Sequence, residues 1–406
     1  MFLIGSGIVL LTTLKKEVIL SVSANQQENY TREYVQLFRK YVEREGLLNA
    51  NEYGRLLFLM RRTNRYERFE EITDNAIRWC ANDSFVMKQV GWIYYSKYVK
   101  TGERRRRISA AQFIVNNTKL EDKFSPYIRT VLRMIKYFHE LEEYSKVLEW
   151  AELLDYRKLP DTAKVYSNES GVMALPSDRV EYAMKKSHAL MKLKKYRDTV
   201  RFLEEVLSSG VCGRDVKYLK FRLAKAYYYL RSFDKALELF KALRREREEW
   251  YIDAYISDIF YIRNEKEKAL KYAIYALLEK GDLHMKKKMI DRVFSMTDDK
   301  DARKKEIKKI LRKIEEGMEM NSTEKRRAEA IFRSYLPVRT GHVVHVMLNG
   351  CGFIRDDNGD EYFFPGRDYP GTPVKGERVS FVLWDSFDKR KNRPSKIARL
   401  IRVMKS

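Results

Sequence analysis

From about residue 30 to residue 317, apolar side chains recur at intervals of three and four, with Lys and Glu between them and few Gly or Pro. That is the period of helices that bury one face, so this span is expected to be mainly α. The clearest unit covers residues 217–243, where Leu223, Ala224 and Tyr227 fall on one helix and Phe233, Ala236, Phe240 and Leu243 on the next. Small residues such as Ala224 and Ala236 let two antiparallel helices approach, while Tyr227 and Phe240 fill the space between neighbouring hairpins. Residues 250–277 repeat the scheme with Ile256, Phe260, Ala269, Ala273 and Ala276; Ala236 to Ala269 is a step of 33 residues, and Thr199 to Ala236 one of 37. Weaker units at 180–207, 128–154, 84–115 and 52–76 bring the expected hairpins to six. The stretch 159–177, with Pro160, Asn168, Gly171 and Pro176, interrupts the period, either as a loop between two halves or as an atypical repeat.

Beyond residue 340 the pattern changes. Five short runs rich in Val, Ile and aromatic residues, at 342–347, 351–355, 361–364, 378–384 and 396–403, are separated by turns built on Asn349-Gly350, residues 356–359, Pro370-Gly371-Thr372-Pro373 and residues 389–394. Five strands in so short a segment predict a small closed or partly open Greek-key barrel of the OB type. Tyr362 and Phe364 alternate with Phe363 and are expected in its core. His342 and His345, three apart on one strand, are expected on opposite sides, which disfavours a shared metal or a catalytic pair.

The helical units resemble the tetratricopeptide repeat, whose period is 34 residues. The terminal segment resembles the cold-shock domain. Asn349-Gly350-Cys351-Gly352-Phe353-Ile354 stands where that family has Lys-Gly-Phe-Gly-Phe-Ile, and Tyr362-Phe363-Phe364-Pro365 where it has Val-Phe-Val-His. Gly341-x-Val343, Gly376-x-x-Val379-x-Phe381 and Ala398-x-x-Ile401 match further strands, so the likeness covers about one sixth of the chain. It implies a surface on which unpaired bases stack on Phe353 and Phe363, with His345 as a third contact. Asn349, Cys351, His345 and Pro365 replace charged or aromatic residues of the family pattern. Weaker single-strand affinity than that of an intact member is therefore expected, with help from elsewhere in the chain.

Charge points to where that help lies. The 406 residues include 81 Lys plus Arg against 57 Asp plus Glu, a net charge of +24 with a pI near 9.6. From Thr340 onward the balance is 12 against 8, or +4, leaving 69 against 49, or +20, on the preceding residues. Such an excess favours polyanions and salt-dependent association. The candidate phosphate contacts are Arg104, Arg105 and Arg106 between two helices, Lys305, Lys308, Lys309 and Arg312 on one face of another, and Lys389, Arg390, Lys391 and Arg393 in a turn of the barrel.

Other chemistry is sparse. Cys80, Cys212 and Cys351 have neither disulfide nor zinc spacing, which suits a reducing cytoplasm. No P-loop, HExxH or GxSxG motif is present, so no catalytic residue, cofactor or metal is expected. The apolar start, Met1 to Leu14, lacks a basic leader and is shorter than the ~20 residues that span a bilayer; it reads as a buried cap within residues 1–29, and no membrane partner is expected. The domains expected are that cap, the repeats at 30–317, a helical junction at 318–339 and the barrel at 340–406. Function is then read as non-enzymatic binding of RNA or other single-stranded nucleic acid, with a protein partner on the repeat surface. The alternative is a tetratricopeptide scaffold for a protein partner, as an accessory subunit of an RNA-processing or defence complex.

Overall fold

The computed structural model describes residues 25–162, 164–168, 171–210, 213, 215–246, 249–388, 391 and 393–404. The apolar start and Cys212 lie outside them. The chain divides into two units, the first running to Lys195 with residues 211–213, the second comprising Tyr196–Gly210 and everything from Arg214 on.

Among its described residues, the first unit's regular structure is helical apart from one hairpin. Helix α1 (residues 25–43) is followed by α2 (Ala50–Thr63), α3 (Phe69–Cys80), α4 (Ser84–Tyr94) with a π-helical extension (Tyr95–Val99), α5 (Arg104–Asn117), α6 (Tyr127–Glu140) and α7 (Tyr144–Glu152). A 3-10 turn (Tyr156–Lys158) leads to the antiparallel strands β1 (Lys164–Asn168) and β2 (Gly171–Leu175), then to α8 (Asp178–Lys192). The interruption seen in the sequence thus holds a short hairpin. Local chemistry starts these helices: Asn49 and Glu52 form a reciprocal capping box before α2, and Asp83 and Ser177 cap α4 and α8 through their side-chain oxygens. Tyr41, Tyr53, Leu56, Met60, Ile72 and Val86 anchor one apolar core in this unit.

The second unit contains α9 (Tyr196–Ser208), α10 (Val216–Tyr229), α11 (Phe233–Glu246), α12 (Trp250–Ile262), α13 (Lys266–Leu278), α14 (Lys287–Met296), α15 (Ala302–Glu315) and α16 (Ser322–Arg333). Leu223, Ala224, Tyr227, Ala236, Phe240 and Leu243 are all buried, at the places their spacing predicts. A fully buried side chain such as Phe240 stabilises by about 1.5–3 kcal/mol. Ala224, Ala236, Ala269 and Ala273 are completely covered, which lets successive helices pack closely. One local device recurs: in α6–α7, α10–α11 and α12–α13 the helices are joined by three residues whose middle one, Glu142, Arg231 or Asn264, has φ near +60°. Identical turns on unlike sequences are the backbone signature of repeated hairpins.

The second unit ends in a closed barrel of β3 (Val338–Val346), β4 (Gly352–Asp356), β5 (Glu361–Phe364), β6 (Arg378–Asp388) and β7 (Arg393–Val403), in the order β3-β4-β5-β7-β6. All pairs are antiparallel except β5–β7. Val343, Ile354, Phe364, Tyr369, Val379, Phe381, Ala398 and Ile401 fill the interior, with Tyr362 packed at their edge. The fold is therefore a mainly α array of helical hairpins with a small five-stranded barrel at its end.

Helices of this unit cover one side of the barrel. The rings of Tyr275 on α13 and Trp384 on β6 stack with centroids 3.7 Å apart, and the Tyr275 hydroxyl donates to the Leu383 carbonyl at 3.2 Å. Arg244 on α11 donates to the Asp385 carbonyl at 2.6 Å while pairing with the buried Asp253 at the same distance. Arg399 on β7 meets Glu279 at 2.9 Å and Asp368 at 3.0 Å, and its guanidinium covers Trp384. Val382 and Trp384 point out of the barrel yet are sealed from water by this packing.

Candidate nucleic-acid interface

Strands β3, β4 and β5 of the barrel carry the residues singled out for stacking. Register pairs His345 with Phe353 and Phe353 with Phe363 across three adjacent strands, so all three side chains leave the barrel on its outer face. The His345 and Phe353 ring centroids are 6.5 Å apart; Phe353 and Phe363 meet edge to face at 5.7 Å. Both phenylalanines are half-buried and His345 is exposed, whereas Phe364, their inward neighbour, is fully buried. The row continues through Ile397, opposite Phe363, to Trp384, where the helices close over it.

Gly352 makes the row possible. A Cβ there would lie 2.2 Å from the His345 carbonyl oxygen and 2.6 Å from the Phe364 ring, so only glycine lets β4 approach β3 beside the core phenylalanine. At the other end of β4 the buried Asp356 accepts hydrogen bonds from the amides of Asn358 at 3.0 Å and Asp360 at 2.9 Å and from the Arg339 guanidinium. Burial alone would raise this carboxyl, but those donors outweigh it and hold it below its ordinary value.

One expectation is corrected. His342 and His345 share a face, because a bulge between Val343 and His345 adds a residue and resets the alternation: His342 opposes Arg355, two residues from Phe353 on the same side of β4. No group of three or more His, Cys, Asp or Glu side chains that could hold a metal ion occurs among the described residues.

The candidate cations fall in separate places. Lys391 and Arg393 are exposed at the tip of the β6–β7 hairpin; Lys389 and Arg390 lie outside the described residues. Lys305, Lys308, Lys309 and Arg312 form one exposed face of α15, where Lys309 pairs with Glu306 at 3.0 Å and Arg312 with Glu316 at 2.8 Å, leaving Lys305 and Lys308 without an ion pair among the described residues. Arg104, Arg105 and Arg106 belong to the first unit and form the first turn of α5, not a link between helices. Arg104 is engaged by Glu143 at 2.5 Å, and Arg105 and Arg106 are exposed. Cations at a helix's positive end oppose its macrodipole, each by roughly 0.3–1 kcal/mol.

No family model matches the chain, and no curated protein does. Among solved structures, the crystal structure of BtubC (BKLC) from P. vanneervenii is similar at 13% identity and a TM-score of 0.34, covering 57% of this chain and 93% of that one. The C-terminal part of a TPR repeat-containing protein from Cytophaga hutchinsonii gives 12% identity and a TM-score of 0.34, covering 71% and 98%. At such scores neither likeness carries weight.

Three features escaped the sequence reading. His139 on α6 and His188 on α8, 49 residues apart, meet at 2.8 Å beside Tyr144, a contact no periodicity announces. Met347 and the fully exposed Leu348 project from the β3–β4 turn next to His345; two apolar residues before an Asn-Gly turn were the available signal. On the second unit, Phe221, Tyr228, Tyr229, Trp250, Tyr251 and Tyr255 line a recess of about 470 Å³ between α10, α12 and the start of α14. Its wall holds the buried Asp258, paired with Arg292 at 2.6 Å, and Lys286, whose ammonium burial pushes down to about 8. No described helix is long and apolar enough to cross a membrane.

Proposed function

We propose that this chain is a non-enzymatic, cytoplasmic protein that binds single-stranded nucleic acid, RNA or DNA, across the outer face of β3, β4 and β5. The supporting observation is the ladder of His345, Phe353 and Phe363, three neighbouring rings on an outward face that the helices leave open. Aromatic side chains on a solvent face are costly to leave idle, and any base can stack on them, at about 1–3 kcal/mol each. The strand order and the placement of the Gly352-Phe353 and Phe363-Phe364 motifs on adjacent strands agree with the cold-shock resemblance. Phe353→Ala with Phe363→Ala is the test. Fluorescence polarisation with a labelled oligouridylate should show at least a tenfold loss of affinity; an unchanged dissociation constant would remove the barrel face from the reading.

A second reading, a tetratricopeptide-like scaffold for a protein partner, draws on the aromatic recess, where Tyr229 and Met285 are 45% and 70% exposed. Partly exposed aromatic side chains gathered in one recess support this reading. Tyr229→Ser with Met285→Ser would then strip a co-purifying protein while sparing oligonucleotide binding, and a low 260/280 nm absorbance ratio in the unmodified preparation would favour this reading.

A further inference from the structure

The second unit holds a cleft of about 1440 Å³ bounded by α11, the C-terminal end of α13, the barrel and the β6–β7 hairpin. It is larger than the roughly 300–1,000 Å³ that hold a small molecule, which suits a segment of a longer chain. It also lies beside the strands β5 and β7, which carry part of the stacking row on their other face. Tyr362 and Lys396, which line it, adjoin Phe363 and Ile397, a register pair.

Its charges are unevenly spent. Glu279 and Asp368 are held by Arg399, Asp385 by Lys271 at 2.6 Å and Glu246 by Lys220 at 3.6 Å. Lys241, Arg245, Lys280 and Lys396 also line the cleft and form no ion pair among the described residues. Lys280 and Lys396 are exposed, and the guanidinium of Arg245 lies 4.2 Å from the centre of the Phe387 ring. With four of the five lining carboxylates paired to cations and Glu249 the fifth, the cations that form no ion pair leave a surface that attracts phosphate, and Phe387 adds an aromatic ring.

We infer that this cleft is the backbone-binding part of the nucleic-acid site: a single strand stacked on Phe363 and Phe353 continues past Tyr362 into it, its phosphates meeting Lys396, Lys280 and Arg245. The inference rests on the proposed function and assigns the electrostatic grip to this cleft in preference to the exposed face of α15.

The test uses the full chain and labelled dodecauridylate, titrated from low to moderate salt. Lys280→Glu with Lys396→Glu changes two exposed side chains that hold no ion pair, so folding, followed by circular dichroism, should be untouched. Affinity should fall at least tenfold, and the slope of log affinity against log salt should shrink by about 1.4, two contacts at roughly 0.7 each. Lys305→Glu with Lys308→Glu on α15 alters the net charge equally and should weaken binding no more than about threefold, the long-range share alone. Equal losses in the two pairs would overturn the cleft while leaving the stacking face intact, provided that the Phe353 and Phe363 substitutions still weaken binding. Failure of the unmodified protein to bind would overturn both, and binding of polyglutamate in place of oligouridylate would reassign the cleft to an acidic peptide.

Discussion

Gly352 and Asp356 bracket β4 and act through different physics. A methyl group at position 352 meets backbone on one side and the core ring of Phe364 on the other, so Gly352→Ala must push β3 and β4 apart. Overpacking of this kind costs about 1–3 kcal/mol, and the barrel's melting, followed through the fluorescence of its single tryptophan, Trp384, should move to lower temperature. Asp356 is charged in the folded barrel at pH values where an ordinary Asp, with a pKa near 3.9, has begun to take up a proton. Its contribution is complete above that value and is lost as pH falls through the lower, folded one. Asp356→Asn should therefore lower stability at neutral pH and flatten the acid limb of a pH–melting curve below pH ~4. Arg231 makes the opposite case: an L-residue held at φ 58° is strained by roughly 1–2 kcal/mol, so Arg231→Gly should raise the melting temperature of the array, less the extra chain entropy of glycine.

Among the elements, β6 was only partly legible. Its sequence reads as alternation, but residues 381–384, Phe-Val-Leu-Trp, are apolar without a break, the mark of a strand buried on both sides. The inward residue Phe381 belongs to the barrel, and the outward Val382 and Trp384 belong to the contact with the helices. Trp384→Ala should therefore loosen the barrel from α13 without unfolding it, giving faster proteolytic cleavage between α16 and β3, whereas Trp384→Phe should cleave at nearly the parental rate. The α10–α11 and α12–α13 hairpins were readable because their Ala and aromatic positions recur at a fixed period. The bulge in β3 was not, since an extra residue in one strand leaves no compositional trace and is set by pairing with β4. The cleft cations escaped for a related reason: Arg245, Lys280 and Lys396 sit singly in sequence and are assembled only when β6 and β7 pack on α11 and α13.

For the molecule as a whole, a net charge of +24 makes non-specific attraction to any polyanion inevitable, so affinity at one salt concentration says little about the site. If about five phosphates are held, raising salt from 50 to 200 mM should weaken single-strand binding roughly a hundredfold. The aromatic ladder contributes a part that salt leaves alone, and the Phe353 and Phe363 substitutions should lower affinity by the same factor at every salt concentration.

The stacked pair of Trp384 and Tyr275 also governs how the barrel would behave on its own. Cut away from α11 and α13, residues 337–406 would turn Val382 and the ring face of Trp384 that Tyr275 covers toward water, and a second fragment would supply an apolar surface to bury them against. A sedimentation coefficient that rises with concentration for the fragment but not for the intact chain is the expected result.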